Sequence, residues 1–418
     1  MEQISLELDN IRMAWEWAVT HEMFEELLAS VEGMTIYFEQ RGLFREGVER
    51  FGHAIAAAEK RTGNAHNVAQ DEAALISRLL AGRLYAAVGW YYARMGKGAQ
   101  AEQPLQASLA VLQNGGQAAE NASAYTLFNW GLVLVSYAPL RAMEMLEKSI
   151  VLLTRMGDRW RLPIAWNGFG GAHLITGSYP KADTCCREGE RLAQKQGGPY
   201  GMDLALQMLG RIAIAQGRYH IAGEYFQISY EFARRGQLKP HLTLALYWQG
   251  EVCRLCGQEE QARLFYNRSI ELAKTVNHTL AYASALWGLG CLEENEHNYA
   301  VAKEHFLQSQ ALIEPGQWIH LQPTLGWALL GLGETAAARQ YFTAVAARAE
   351  AVGILPTLLD AQLGLDYLEY SSHARPQLGR AMQVVQEHSA TTQETRDRID
   401  KIATDLRIAS LAINRLGH

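Results

Sequence analysis

An all-α solenoid of stacked helical hairpins is the fold class this sequence predicts, and three observations carry it. Gly170, Gly210, Gly250 and Gly290 recur every 40 residues, and Gly177, Gly217 and Gly257 follow them in step, seven residues later. Behind each pair comes a small residue (Ala182, Ala222, Ala262, Ala302), then Cys186, Phe226, Tyr266 or Phe306 four places on, then Gly189, Ser229, Ser269 or Ser309. Amphipathic stripes stand at both ends of the chain. A fixed period of this length marks a repeat architecture.

Each slot has a physical reason. Small residues let two helices approach closely, and an aromatic one turn later lies on the same face and fills the space beside them. The second glycine falls where a first helix must stop, because that position often needs the left-handed backbone that glycine adopts at low cost. Tyr179, Tyr219 and Tyr299 then open the second helix. Weaker copies extend the pattern. Toward the N-terminus, Gly89, Gly96, Ala101, Leu105 and Ser108 match slot for slot, and "FNWGLVLVSYAPLRAMEMLEKSI" at 128–150 matches with a shortened turn. Gly42, Gly47, Phe51 and Ala54 make a degenerate first copy. Toward the C-terminus, Gly326, Gly333, Ala338 and Phe342 follow after a 36-residue step, with a poorer copy near 357–389. The count is about eight to nine hairpins.

A stacked array leaves an apolar face at each end that something must cover. Ile4, Leu8, Ile11 and Trp15 form one stripe, and Ile399, Ile402, Leu406, Ala409, Ile413 and Leu416 form another in three-then-four steps. The expected organisation is therefore an N-terminal linker or capping helix at 1–21, a solenoid at 22–390 and a C-terminal amphipathic capping helix at 391–418. A dimerisation or partner helix is the alternative for the last. The polar stretch "RTGNAHNVAQD" at 61–71 reads as an insertion loop.

Composition agrees. Over 418 residues, 49% hydrophobic and 20% charged side chains supply a continuous core and too little polarity for disorder. The net charge of −6, with Lys and Arg scattered, is not the footprint of a nucleic-acid binder. Five cysteines (Cys185, Cys186, Cys253, Cys256, Cys291) sit in apolar helical patterns rather than in a disulfide framework. No apolar run is long enough to cross a bilayer, and "MEQISLELDNIRMAWEWA" lacks the basic start and apolar core of a signal peptide. A cytoplasmic protein, without direct nucleic-acid or membrane contact, is expected.

The pattern resembles the tetratricopeptide repeat (TPR), with its Gly or Ala in the first helix, small residue early in the second and aromatic four later. The resemblance covers roughly residues 22–390 and implies a right-handed superhelix. The 40-residue spacing exceeds the usual unit of about 34. It is similar to the sensor arrays of bacterial signal-transduction (STAND-type) ATPases and of maltose-activator-like transcription regulators. "LELDNIRMAWEWAV" looks like the helix that follows the winged-helix module in such ATPases. The resemblance implies the C-terminal sensor part of a larger switch, with an ATPase module upstream of this sequence.

No catalytic constellation stands out. The sequence has no G-x-x-x-x-G-K-[ST], and "RMGKGAQ" at 94–100 reads as a hairpin turn. Cys253-Arg-Leu-Cys256 lacks the second pair a zinc site needs, and Cys186 fills a packing slot. "HEMFE" at 21–25 lacks a second histidine, and there is no G-x-S-x-G elbow. Glu251 and Glu294, on neighbouring first helices, are the one pair of acids that an all-helical hydrolase could use. No enzyme activity, cofactor or metal is expected.

What is left is the inner surface. The resemblance implies that positions three before, one after and four after the first glycine point into the groove. The candidates for ligand binding are Arg83, Trp90, Phe128, Asn167, Gln207, Arg211, Tyr247, Glu251, Arg254, Trp287, Glu294 and Trp327. Trp, Tyr and Arg at accessible positions are what recognition surfaces use. The expected partner is a protein or peptide. The alternatives are a small-molecule, sugar-like effector stacking on the tryptophans, and a stand-alone protein-interaction scaffold with no switch attached.

Overall fold

The computed structural model describes residues 8–63, 72–113, 115–196, 199–313, 323–370 and 375–416. These form twenty helices and no strand. After α1 (Leu8–Thr20) the helices follow as pairs. In chain order these are α2 (Phe24–Arg41) with α3 (Phe44–Gly63), α4 (Glu72–Arg94) with α5 (Gly98–Leu112), and α6 (Gly116–Leu134) with α7 (Pro139–Met156). Next come α8 (Arg161–Ile175) with α9 (Tyr179–Gln196), α10 (Pro199–Ala215) with α11 (Tyr219–Arg235), and α12 (Lys239–Leu255) with α13 (Glu259–Thr275). The series ends with α14 (Thr279–Asn295) and α15 (Tyr299–Ala311), α16 (Pro323–Gly331) and α17 (Thr335–Val352), α18 (Leu355–Tyr370) and α19 (Arg375–Glu387), then α20 (Gln393–Leu416) alone.

The repeated slots pack against one another. A Cβ built on Gly210 or Gly250 would come within 2.6 Å of the Phe226 or Tyr266 ring, and one on Gly290 or Gly326 within 2.5 Å of Phe306 or Phe342. Each second helix thus lays its aromatic on the glycine of its own first helix. In the α8–α9 pair the Cys186 thiol takes the ring's place over Gly170. The small third slot has a further use. Ser269 Oγ donates to the Thr243 carbonyl at 2.8 Å and Ser309 Oγ to that of Ala283 at 2.7 Å, tying second helix to first inside the core.

Turn chemistry follows the same register. Gly217 adopts φ 74°, and its N–H and that of Arg218 close the end of α10 on the carbonyls of Ile214 (2.9 Å) and Ala213 (2.8 Å). His297 stands in the equivalent place with φ 63°, a conformation a Cβ-bearing residue holds only at a cost.

The chain gathers into two compact units, Met1–Val135 with Arg141–Gly168, and Ser136–Leu140 with Phe169–His418. In the first, Phe51 lies between Phe38 and Tyr91, each 5.7 Å away between ring centroids, and Trp15 of α1 packs on Phe51. Ile11 of the N-terminal stripe packs on this cluster, while Ile4 lies outside the described residues and the Leu8 side chain is likewise not described. Of the stretch 61–71, Arg61–Gly63 complete α3 and the rest lies outside the described residues.

In the second unit, Trp287, Phe306, Trp327, Phe342 and Leu363 share one core with Ile399 and Ile402 of α20. The remaining stripe residues, Leu406, Ala409, Ile413 and Leu416, have side chains beyond the described ones. The end of this unit returns to its beginning. A Cβ on Gly177, at the α8–α9 turn, would meet Pro356 of α18 at 3.3 Å and also Ala390.

Candidate functional site

In the second unit, first helices and the turns that follow them face residues 390–402, the approach to α20 and its first turns, and this is the inner face. Tyr179 donates its hydroxyl to the Ala390 carbonyl at 2.7 Å, and Gly217 leaves room for the Gln393 side chain. Arg254 of α12 donates Nη2 to Glu251 Oε2 at 2.9 Å and Nη1 to Glu394 Oε1 at 3.0 Å. Glu251 also accepts the Tyr266 hydroxyl. One helical turn past Glu394, Arg398 Nη1 meets both oxygens of Asp360 at 2.9 and 2.8 Å, and its guanidinium lies 5.1 Å from the Trp327 ring centroid. Trp327 Nε1 donates to the same Asp360 at 3.0 Å. The segment is thus held by a base–acid pair and an acid–base pair in alternation.

The electrostatics match. Burial alone would pull the Arg254 guanidinium down, but Glu251 and Glu394 hold it well above its ordinary value. Burial would raise the Glu394 carboxyl, yet Arg254 and Arg398 bring it below the usual carboxylate range. Glu294, half-buried beside them, is raised by burial despite Arg398 nearby.

Burial corrects much of the expected groove. Tyr247, Glu251, Arg254, Trp287 and Trp327 are all buried, not on an accessible surface. Trp287 packs on Phe306 at 4.4 Å and Trp327 on Phe342 at 5.2 Å, so both tryptophans fill space between hairpins. Gln207 is buried as well, donating to Asp203 at 2.9 Å, while Asp203 also accepts from Ser229 and His241. Arg254 and Trp327 are covered by the chain's own C-terminal segment, which helix register cannot reveal. Arg211 and Glu294 keep partial exposure.

In the first unit, Phe128 and Asn167 are buried at 6% and 3%, a correction of the same kind with close helix packing as its cause. Trp90 is partly exposed, packed on the core cluster with Arg94 at 5.8 Å over its ring. Arg83 lies 5.2 Å from the Tyr125 ring centroid and 3.5 Å from Glu32. Arg161, which the register did not select, lies 4.2 Å from the same Tyr125 centroid and pairs with Glu32 and Asp158, each at 2.9 Å. The second-unit residues the register missed are Trp248, Asp360, Glu394 and Arg398. Only Trp248, next to Tyr247, had a neighbouring signal.

No protein-family model matches this sequence, and no curated protein does. Solved structures do. A Rap protein complexed with competence and sporulation factor superposes with a TM-score of 0.57 at 12% identity, over 86% of this chain and 99% of that one. The chain is a tetratricopeptide-type array. NprR in complex with its cognate peptide NprX is similar at a TM-score of 0.49 and 13% identity, over 77% of this chain and 97% of that one. A STAND protein with a tetratricopeptide repeat sensor from Pyrococcus horikoshii gives 0.43 and 13%, over 80% of this chain and 52% of that one. Among the described residues of the array, no helix is long and apolar enough to cross a membrane.

Proposed function

We propose that this array is a non-enzymatic sensor that takes a protein or peptide segment on the inner face of its second unit, as the sensing part of a cytoplasmic signalling ATPase or transcription regulator. One observation carries the reading: that face already holds a polypeptide segment, residues 390–402, through the Arg254–Glu394 and Asp360–Arg398 pairs. A surface that seats its own chain by matched charges is built to read side chains, and a partner with the same charges competes for it. The fold neighbour solved with competence and sporulation factor supports a signalling role.

The small-molecule reading loses two of its three stacking tryptophans, because Trp287 and Trp327 are core residues. Hydrolysis by Glu251 and Glu294 loses support too, since the Glu251 carboxylate is committed to Arg254 and Tyr266.

The test uses the full chain carrying Glu394→Arg and Arg398→Glu, which repels its own segment from Arg254 and Asp360. A fluorescent peptide with the natural sequence of residues 388–404 is then titrated. Its anisotropy should rise with the double variant and not with the natural chain, and adding Arg254→Ala should abolish the rise. A double variant that stays helical and takes up no peptide sinks the proposal.

A further inference from the structure

The unexplained group on this face is Arg211. It follows Gly210 of α10 by one residue, the register that Glu251 occupies after Gly250 in α12. Its guanidinium lies 5.2 Å from the Trp248 ring centroid, and that indole stacks in turn on Phe226 at 5.6 Å with an interplanar angle of 8°. Nη1 makes one contact, with Met208 Sδ at 3.4 Å. Among the described residues no carboxylate pairs with Arg211. The single acid of α10, Asp203, is committed to Gln207, Ser229 and His241.

A guanidinium partly withdrawn from water without a counter-ion is costly, and an aromatic face offsets only part of that cost. Burial accordingly pulls Arg211 below its ordinary value, with only Tyr247 and Cys186 opposing. One repeat later, Arg254 has two carboxylates, and one of them, Glu394, arrives on the C-terminal segment. Where that segment supplies an acid, the cation is matched; at Arg211 it is not.

We infer that Arg211, laid flat on Trp248, is a subsite for a ligand carboxylate. The inference rests on the reading that this face binds a ligand, and it adds the chemistry of the contact. Guanidinium offers two parallel N–H donors to a carboxylate, while the indole fixes its plane. A peptide can present that group as its chain terminus or as an Asp or Glu side chain.

The test exposes the full chain to N-acetyl-phenylalanine, a chain-terminal carboxylate, and to N-acetyl-aspartate α-amide, a side-chain carboxylate. Each is compared with its uncharged amide at matched ionic strength. At least one carboxylate should slow phenylglyoxal modification of Arg211, read by peptide mass spectrometry, and its amide should not. The stronger of the two names the source. Arg211→Gln should weaken binding of the protective probe about tenfold or more, by calorimetry, the scale of one charge-assisted contact. Equal protection by acid and amide, no protection by either, or an Arg211 that never reacts overturns the subsite. Because these probes do not report on Arg254, a null result beside uptake of the 388–404 peptide overturns the subsite alone.

Discussion

Arg161 Nη2 meets Glu32 Oε1 at 2.9 Å across 129 positions of sequence, and the same guanidinium covers the Tyr125 ring at 4.2 Å. In this way the start of α8 is fixed to α2 and α6 within the first unit. Burial would lower the Arg161 guanidinium, but Glu32 and Asp158 raise it. Lysine cannot reproduce the planar fork that bridges two acids while lying on a ring. Arg161→Lys is therefore expected to cost about 2 kcal/mol, the scale of a charge-assisted hydrogen bond lost with its ring contact. Tyr125→Phe, which keeps the ring, should cost far less than Tyr125→Leu. Urea denaturation of the three variants decides it, and equal losses for the two Tyr125 substitutions would remove the stacking contribution.

The contact between Gly250 and Tyr266 sets the spacing of a hairpin. Gly250→Ala would drive a methyl to 2.6 Å from the ring, whose hydroxyl is held by Glu251, so ring and helix must separate. The expected loss is about 1–3 kcal/mol, typical of overpacking. Gly223 in α11 of the same unit is the control, since an added Cβ would reach Val252 at an ordinary 3.5 Å. Gly223→Ala should stabilise by about 0.5–1 kcal/mol through helix propensity. Thermal midpoints of the two variants should move in opposite directions. A downward shift for both would show that the glycine slot has no special role.

What made these contacts readable in advance is their range. Gly210 and Phe226, or Gly250 and Tyr266, lie sixteen residues apart in one hairpin, so a constant spacing records them. Ser269 and Ser309 were readable only as small, because nothing local says that their hydroxyls reach a carbonyl 26 residues upstream. The Arg254–Glu394 pair spans 140 positions and leaves no periodicity at all. Register placed Trp327 on a first helix, but its burial comes from Phe342 of the next helix together with Arg398 over its ring, and the second of these depends on the C-terminal path. Tertiary cover, not helix assignment, was the missing knowledge.

Acid should loosen α1 before the hairpins it rests on. Arg12 holds Glu46 by two hydrogen bonds of 2.6 Å, and Arg50 links Glu46 at 2.7 Å to Glu16 at 2.9 Å. The bond from Arg12, with a smaller contribution from Arg50, holds the Glu46 carboxyl below its ordinary 4.5 against the upward pull of burial. A depressed folded value means that this stabilisation is complete above about pH 4.5 and is lost as pH falls through the depressed value. Hydrogen exchange in Leu8–Thr20, corrected for its intrinsic pH dependence, should accelerate between about pH 6 and about pH 3 more than exchange in α4 does. Glu46→Gln should exchange faster at the higher pH and lose most of the acid-induced increment. If α1 in the Glu46→Gln chain responds to acid as fully as the natural one, the docking of α1 depends on Trp15 packing against Phe51 rather than on the carboxylate.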